Sequence, residues 1–121
     1  MKFDANMPIY LQIMDDFKKN IVAGCYKSGD KIPSVRDLAV AYGVNPNTVQ
    51  RALSELERVH MVYSERTSGR FITKDETLIE TLKQVYADEQ MDHCIQELKQ
   101  LGYTNQEIIA RIKGRLDTWK V

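Results

Sequence analysis

Between Ile32 and Leu56 the apolar positions change phase twice, and a capping residue marks each change. Val35, Leu38, Ala39 and Tyr42 recur at steps of three and four, behind Ser34 and ahead of Gly43. A serine at an N-cap accepts from an orphan backbone N–H, and Asp37 three residues later is placed to complete a capping box. Glycine tolerates the left-handed exit from a helix. Eleven residues after Ser34, Asn45 repeats the start signal, and Pro46 falls in the first turn, where its missing N–H is harmless. Val49, Ala52, Leu53, Leu56 and Val59 then form a second apolar face. Asn47, Gln50, Arg51 and Ser54 are left on the outer face, with no acid before Glu55. A short helix, a tight turn and a second helix with a polar outer face are the pattern of a helix-turn-helix.

The flanking stretches extend this unit. From Pro8 to Val22, Tyr10, Ile13, Met14, Phe17, Ile21 and Val22 make one apolar stripe. Gln12, Asp15, Asp16, Lys18 and Lys19 lie opposite, and the adjacent Asp15 and Asp16 are read as part of a solvated face. Gly24 ends this helix, and Cys25 to Pro33 is a turn-rich connector whose Tyr26 and Ile32 can enter the core. Past the helix-turn-helix, Met61-Val62-Tyr63-Ser64 and Arg70-Phe71-Ile72-Thr73 are β-prone runs around a polar turn. Three helices and a hairpin predict a winged helix-turn-helix over residues 1–74, with Arg66, Thr67, Ser68, Gly69 and Arg70 at the wing tip. Two arginines beside small residues suit a wing on the DNA backbone or in the minor groove.

From Asp75 onward the pattern is helical only. Leu78, Leu82, Val85, Tyr86, Met91, Ile95, Leu98 and Leu101 predict a helix of roughly 25 residues, with the stripe imperfect around Ala87 to Met91. Gly102-Tyr103 is a turn, Thr104 with Glu107 is a capping box, and Ile108, Ile109, Ile112 and Leu116 follow at helical spacing. Two such helices cannot enclose a private core, so their stripes need the winged unit or a second copy of the chain. The expected fold class is therefore mainly α with a small β-hairpin: a winged helix-turn-helix, then a two-helix C-terminal dimerisation tail over residues 75–121. The expected dimer contact comprises Leu78, Leu82, Val85, Tyr86, Ile95, Leu98, Ile108, Ile112 and Leu116.

Composition narrows the function. A chain of 121 residues with 43% hydrophobic content can bury one small core. No run approaches the roughly 18 apolar residues of a membrane span, and the N-terminus lacks the apolar segment of a signal peptide, so a cytoplasmic location without a membrane partner is expected. Cys25 and Cys94 have neither disulfide-framework nor zinc-site spacing. The net charge of zero hides an asymmetry: residues 1–74 carry 11 basic and 8 acidic side chains, whereas the remainder carries 6 and 9. The positive half is the one with the helix-turn-helix, as phosphate contact requires.

Catalytic patterns are missing. No Ser-His-Asp set, Walker loop, GxGxxG or HExxH occurs, and His60 and His93 stand alone, so no enzyme and no cofactor are expected. Asp88, Asp92 and His93 lie within one and a half helical turns, but His93 is about 100° round from Asp92, so a polar surface is the preferred reading over a metal site. An apolar pocket near Tyr86, Tyr103 and Trp119, taking an unidentified small-molecule effector, is an alternative use of the tail. A winged helix that contacts only protein is a further alternative, against which the polar, basic outer face argues.

Three stretches together carry a family resemblance. They are Pro8-Ile9-Tyr10-x-Gln12-Ile13, then Gly24-x-Tyr26-x-x-Gly29-Asp30-Lys31-Ile32-Pro33-Ser34-Val35-Arg36-Asp37-Leu38-Ala39, then Val44-Asn45-Pro46-Asn47-Thr48-Val49-x-Arg51-Ala52-Leu53-x-x-Leu56-Glu57. The chain resembles the GntR family of bacterial transcription factors over about residues 7–73, and its short tail resembles the YtrA subfamily. That resemblance implies DNA contacts from Arg36, from the Asn45-Pro46-Asn47-Thr48 turn, from Arg51 and from the wing. It also implies a tail that serves mainly for dimerisation and a regulator that is most often a repressor. The wing departs from the family pattern of Arg-Gly-x-Gly-x-Phe-Val, because Thr67 stands where the first glycine is usual. With the residue chemistry added, the expected DNA-binding set is Ser34, Arg36, Asn45, Pro46, Asn47, Thr48, Gln50, Arg51, Arg66, Gly69 and Arg70. The expected partners are a double-stranded, pseudo-palindromic operator and a second copy of the chain. Asn47 and Arg51 suit base edges, whereas Ser34, Arg36 and Thr48 suit phosphates.

Overall fold

The computed structural model describes residues 1–120. In chain order come α1 (Ile9–Val22), α2 (Val35–Tyr42), α3 (Pro46–Arg58), β1 (Val62–Glu65), β2 (Gly69–Ile72), α4 (Glu76–Gln100) and α5 (Asn105–Thr118). The apolar stripes of the first three helices become one core. Ile13 and Phe17 of α1, Leu38 of α2, and Val49, Leu53 and Leu56 of α3 are buried together, closed below by Val62 and Ile72 of the hairpin. Tyr26 and Ile32 enter from the connector, with the Tyr26 ring stacked on Phe17 at 4.8 Å between centroids. Asp16 is not simply solvated. It is half-buried and accepts from the Tyr42 hydroxyl at 2.8 Å and from Asn20 Nδ2 at 3.3 Å. Burial and this acidic neighbour raise the Tyr42 pKa far above that of a free phenol. Spacing along one helix could not reveal this, because the partner arrives from the end of α2.

The caps explain why the helices start and stop where they do. Ser34 Oγ accepts from Asp37 N at 3.1 Å and Asn45 Oδ1 accepts from Asn47 N at 2.8 Å. Among the described residues only the Thr104–Glu107 pair closes a full capping box, with bonds of 3.0 and 3.2 Å in the two directions. Asp37 has one methylene less than a glutamate to reach back with, so α2 carries half the motif. At the other ends, α2 and α3 finish in the same paired turn. Val44 N reaches Ala39 O and Gly43 N reaches Val40 O, just as Met61 N reaches Leu56 O and His60 N reaches Glu57 O. Gly43 takes the left-handed position at φ 69°, but after α3 the residue there is His60 at φ 65°. Left-handed backbone costs a side-chain-bearing residue about 1 kcal/mol. His60→Gly is therefore expected to raise the unfolding free energy by about 0.5–1 kcal/mol in urea titrations, with unchanged secondary structure. A loss of stability would show that the histidine ring makes a compensating contact.

The hairpin is antiparallel, with Val62 opposite Ile72 and Glu65 opposite Gly69, around a three-residue turn of Arg66, Thr67 and Ser68. Gly69 and Arg70 thus belong to the second strand rather than to the turn. The connector also joins the sheet edge: Ile32 N donates to Arg70 O at 2.9 Å and Ile72 N donates to Asp30 O at 2.8 Å. This covers one edge of β2 and fixes the height at which the wing leaves the core.

Two compact units follow from the contacts, the first Met1–Lys83 and the second beginning at Gln84, so α4 contributes to both. Within the first unit, Leu78, Ile79 and Leu82 of α4 pack against the winged core. The weakness of the stripe near Ala87 has a simple origin. At about 100° per residue, Leu78, Leu82, Val85 and Tyr86 centre on one side of the α4 axis, whereas Met91, Cys94, Ile95 and Leu98 centre roughly 175° away. The helix runs unbroken through the switch. Within the second unit Ile108 is buried, while Ile95, Ile112, Leu116 and Trp119 remain exposed. No helix among the described residues is long and apolar enough to cross a membrane.

Candidate nucleic-acid interface

The helix with the strongest division between apolar and polar faces is α3. Val49, Ala52, Leu53 and Leu56 are buried, so Asn47, Gln50, Arg51 and Ser54 are turned outward, as their spacing predicts. The turn before it is fixed at both ends, by Gly43 closing α2 and by the Asn45 cap opening α3. Ser34 and Arg36 are exposed at the start of α2, and Asn45, Pro46 and Asn47 are exposed at the start of α3. Thr48 is half-buried. These helix starts carry positive dipole ends and present hydrogen-bond donors suited to phosphate oxygens.

The arginines of the expected set differ in their surroundings. Arg36 and Arg66 are exposed, and among the described residues no ion pair holds either. Arg51 is exposed too, but its guanidinium carbon lies 3.9 Å from the centroid of the Tyr10 ring. Arg70 is half-buried: its Nε donates to Glu57 Oε1 at 2.8 Å, and its Nη1 donates to Gln50 Oε1 at 3.4 Å. The Ser64 hydroxyl donates to the same Glu57 oxygen. One carboxylate on the recognition helix thus gathers both strands of the wing. Sequence reading placed Arg70 at the wing tip and gave no signal for this tie. The β2 register settles it by turning the residue back towards α3.

The Ser64 hydroxyl and the Arg70 guanidinium hold the Glu57 carboxyl below its ordinary pKa, against a smaller opposing effect of burial. A depressed carboxylate pKa gives stability that is complete above the unfolded value and is lost as pH falls through the folded one. Glu57→Gln is accordingly expected to destabilise the protein at pH 7 by less than ~1 kcal/mol, because the pair is partly solvated. The difference from the parent should shrink as pH falls below the ordinary carboxylate range and vanish only once the depressed Glu57 carboxyl is itself protonated. A gap that persists into acid in chemical denaturation would show that charge is not what ties the wing.

Lys31 is a basic residue that the sequence reading passed over as connector. It bridges to Phe71 of β2, and its side chain lies so close to Gly69 that a Cβ there would sit 3.3 Å from Lys31 Cε. Gly69 has φ 108°, outside the range that other residues adopt readily. It lets the strand leave the turn while keeping the lysine stem against the backbone. Between the starts of α1 and α3 is an open notch of about 410 Å³ lined by Pro8, Ile9, Tyr10, Asn47, Thr48 and Arg51.

A capped helix pair, a polar recognition helix and a basic hairpin fastened to it define a winged helix-turn-helix. The profile described as bacterial regulatory proteins, gntR family, matches residues 9–72. The chain belongs to the GntR family, whose members are transcriptional regulators. The tail is covered by similarity as well. The chain is 38% identical to the HTH-type transcriptional repressor YtrA of Bacillus subtilis, with 91% of each chain covered. It is 41% identical to a solved GntR family transcriptional regulator from Listeria monocytogenes, covering 93% of this chain and 98% of that one with a TM-score of 0.82. The DNA-binding domain of AraR, solved in complex with operator ORR3, is 25% identical over 60% of this chain and 88% of its own, with a TM-score of 0.54.

Proposed function

We propose that the protein is a repressor that binds a pseudo-palindromic DNA operator as a homodimer. The observation that carries this reading is the outer face of α3, on which Asn47, Gln50 and Arg51 project together from a helix whose other face is wholly buried. Arginine pairs with the O6 and N7 edge of guanine, and the amides of asparagine and glutamine pair with adenine, so these three read the major groove. Ser34, Arg36, Asn45, Pro46 and Thr48 sit at the two helix starts and fix register on phosphates. Arg66 at the wing tip enters the flanking minor groove, where Gly69 keeps the approach narrow, and Arg70 acts through Glu57 by holding the wing in place. The operator complex of AraR and the repressor YtrA support the reading by similarity.

The homodimer rests on the second unit. An open groove of about 550 Å³ there is lined by Cys94, Leu98, Arg111, Ile112, Arg115, Leu116 and Trp119. Exposed apolar side chains on so small a unit call for cover, and a second copy supplies it symmetrically. Leu78 and Leu82 pack on the winged core and Ile108 is buried within its own unit. The contact between copies therefore falls to Val85, Tyr86, Ile95, Leu98, Ile112 and Leu116, which form the proposed dimerisation region together with the rest of residues 75–121. A small-molecule effector is the second reading, since the same groove could take an apolar ligand. A rise in melting temperature with such a ligand would reveal it.

Selection of duplexes by the purified protein from a randomised library tests the proposal. The expected product is a two-fold symmetric sequence whose half-site centres lie about 10 base pairs, or a multiple of that, apart. Recovery of unenriched or unsymmetric duplexes would overturn it.

A further inference from the structure

Arg51 and Tyr10 come from different helices, and their contact points to a role for the tyrosine beyond the core. We infer that Tyr10 is a specificity-setting positioning residue: it holds the Arg51 guanidinium so that its donor edge reads one guanine in each half-site. The inference rests on the DNA-reading role proposed above. Three observations support it. The guanidinium carbon stands 3.9 Å from the ring centroid, which is a stacking distance. Tyr10 is half-buried and packs against the core, so the ring is the fixed partner and the long arginine side chain is the one restrained. No carboxylate among the described residues pairs with Arg51, whereas Arg58 and Arg70 are each held by a glutamate.

The difference between a ring and a carboxylate matters chemically. All five guanidinium N–H donors lie in its plane, and stacking engages the face of that plane. A carboxylate would occupy the same in-plane edge that guanine O6 and N7 need. A ring restrains the fork without consuming its donors. The notch formed by Pro8, Ile9, Tyr10, Asn47, Thr48 and Arg51 places the start of α1 beside the reading face of α3, which brings this core tyrosine within reach. In the sequence Tyr10 belongs to an apolar stripe and to the Pro8-Ile9-Tyr10 run, and neither points to Arg51.

The test is fluorescence anisotropy with the duplex that the parent protein selects, together with a panel carrying every single-base change in one half-site. Tyr10→Leu should weaken the selected duplex roughly five- to tenfold, the size of a cation–π contact. It should flatten discrimination at the same base pair that Arg51→Ala flattens, leaving the other positions and the salt slope unchanged. Tyr10→Phe should bind within about twofold of the parent, since the stacking face is kept. The double variant Tyr10→Leu with Arg51→Ala should be no weaker than Arg51→Ala alone. Tyr10→Met keeps bulk without an aromatic face, and it gives the same comparison if the leucine variant does not fold. A loss that is uniform across the panel, or undiminished when Arg51 is already alanine, would overturn the inference in favour of plain core packing. Unchanged base preference in Arg51→Ala would remove the reading role of Arg51, and the inference with it. Failure of the parent to select any duplex would instead sink the proposed function itself.

Discussion

Arg51→Ala is expected to weaken the selected operator by one to two orders of magnitude, since a bidentate arginine–guanine pair discriminates by about 1–3 kcal/mol. The loss should be concentrated at one base pair per half-site. Arg51 is exposed on α3, and its stack with Tyr10 leaves its donors unspent. Arg36→Ala is the contrasting case. Arg36 stands exposed near the start of α2 with no ion pair among the described residues. Its removal should weaken binding to every duplex by a similar factor and lower the slope of log affinity against log salt by about one. Anisotropy over the single-base panel at several salt concentrations separates the two. Indistinguishable profiles for the two variants would contradict the division between base and phosphate contacts.

Removing the second unit should have the larger effect. A chain ending at Lys83 is expected to sediment as a monomer and to bind the operator at least about a hundredfold more weakly, because linking two half-site readers multiplies affinity by roughly 10²–10⁴. The cut belongs after Lys83 and not at Asp75. Leu78, Ile79 and Leu82 cover the winged core, and a shorter chain would expose apolar surface for reasons unrelated to dimerisation. A truncated chain that still sediments as a dimer would refute the assignment of the dimer contact to the tail.

The outer face of α3 was legible in the sequence because both of its determinants are local. Ser34, Gly43, Asn45 and Pro46 fix the two helices through caps that act within a few residues. The buried Val49, Ala52, Leu53 and Leu56 then fix which way Asn47, Gln50 and Arg51 point. The side-chain contacts that join the elements are long-range and left no periodic trace. Tyr10 under Arg51, Asp16 with Tyr42, and Glu57 with Arg70 each join separate elements. The wing was legible as a hairpin, but its register was not, and the register decides that Arg70 turns towards Glu57. In α4 the spacing showed an imperfect stripe. Its cause, a change of apolar face part-way along α4, follows from helical spacing once the helix is known to be continuous from Glu76 to Gln100.

If α3 reads sequence while the helix starts and wing bind phosphate, one titration shows both. The intact protein would be measured by anisotropy against the selected duplex and a scrambled duplex of equal length, over a series of salt concentrations. At least about a thousandfold preference for the selected duplex is expected at physiological salt, with both affinities falling steeply as salt is added. Equal affinity for the two duplexes at every salt concentration would contradict it.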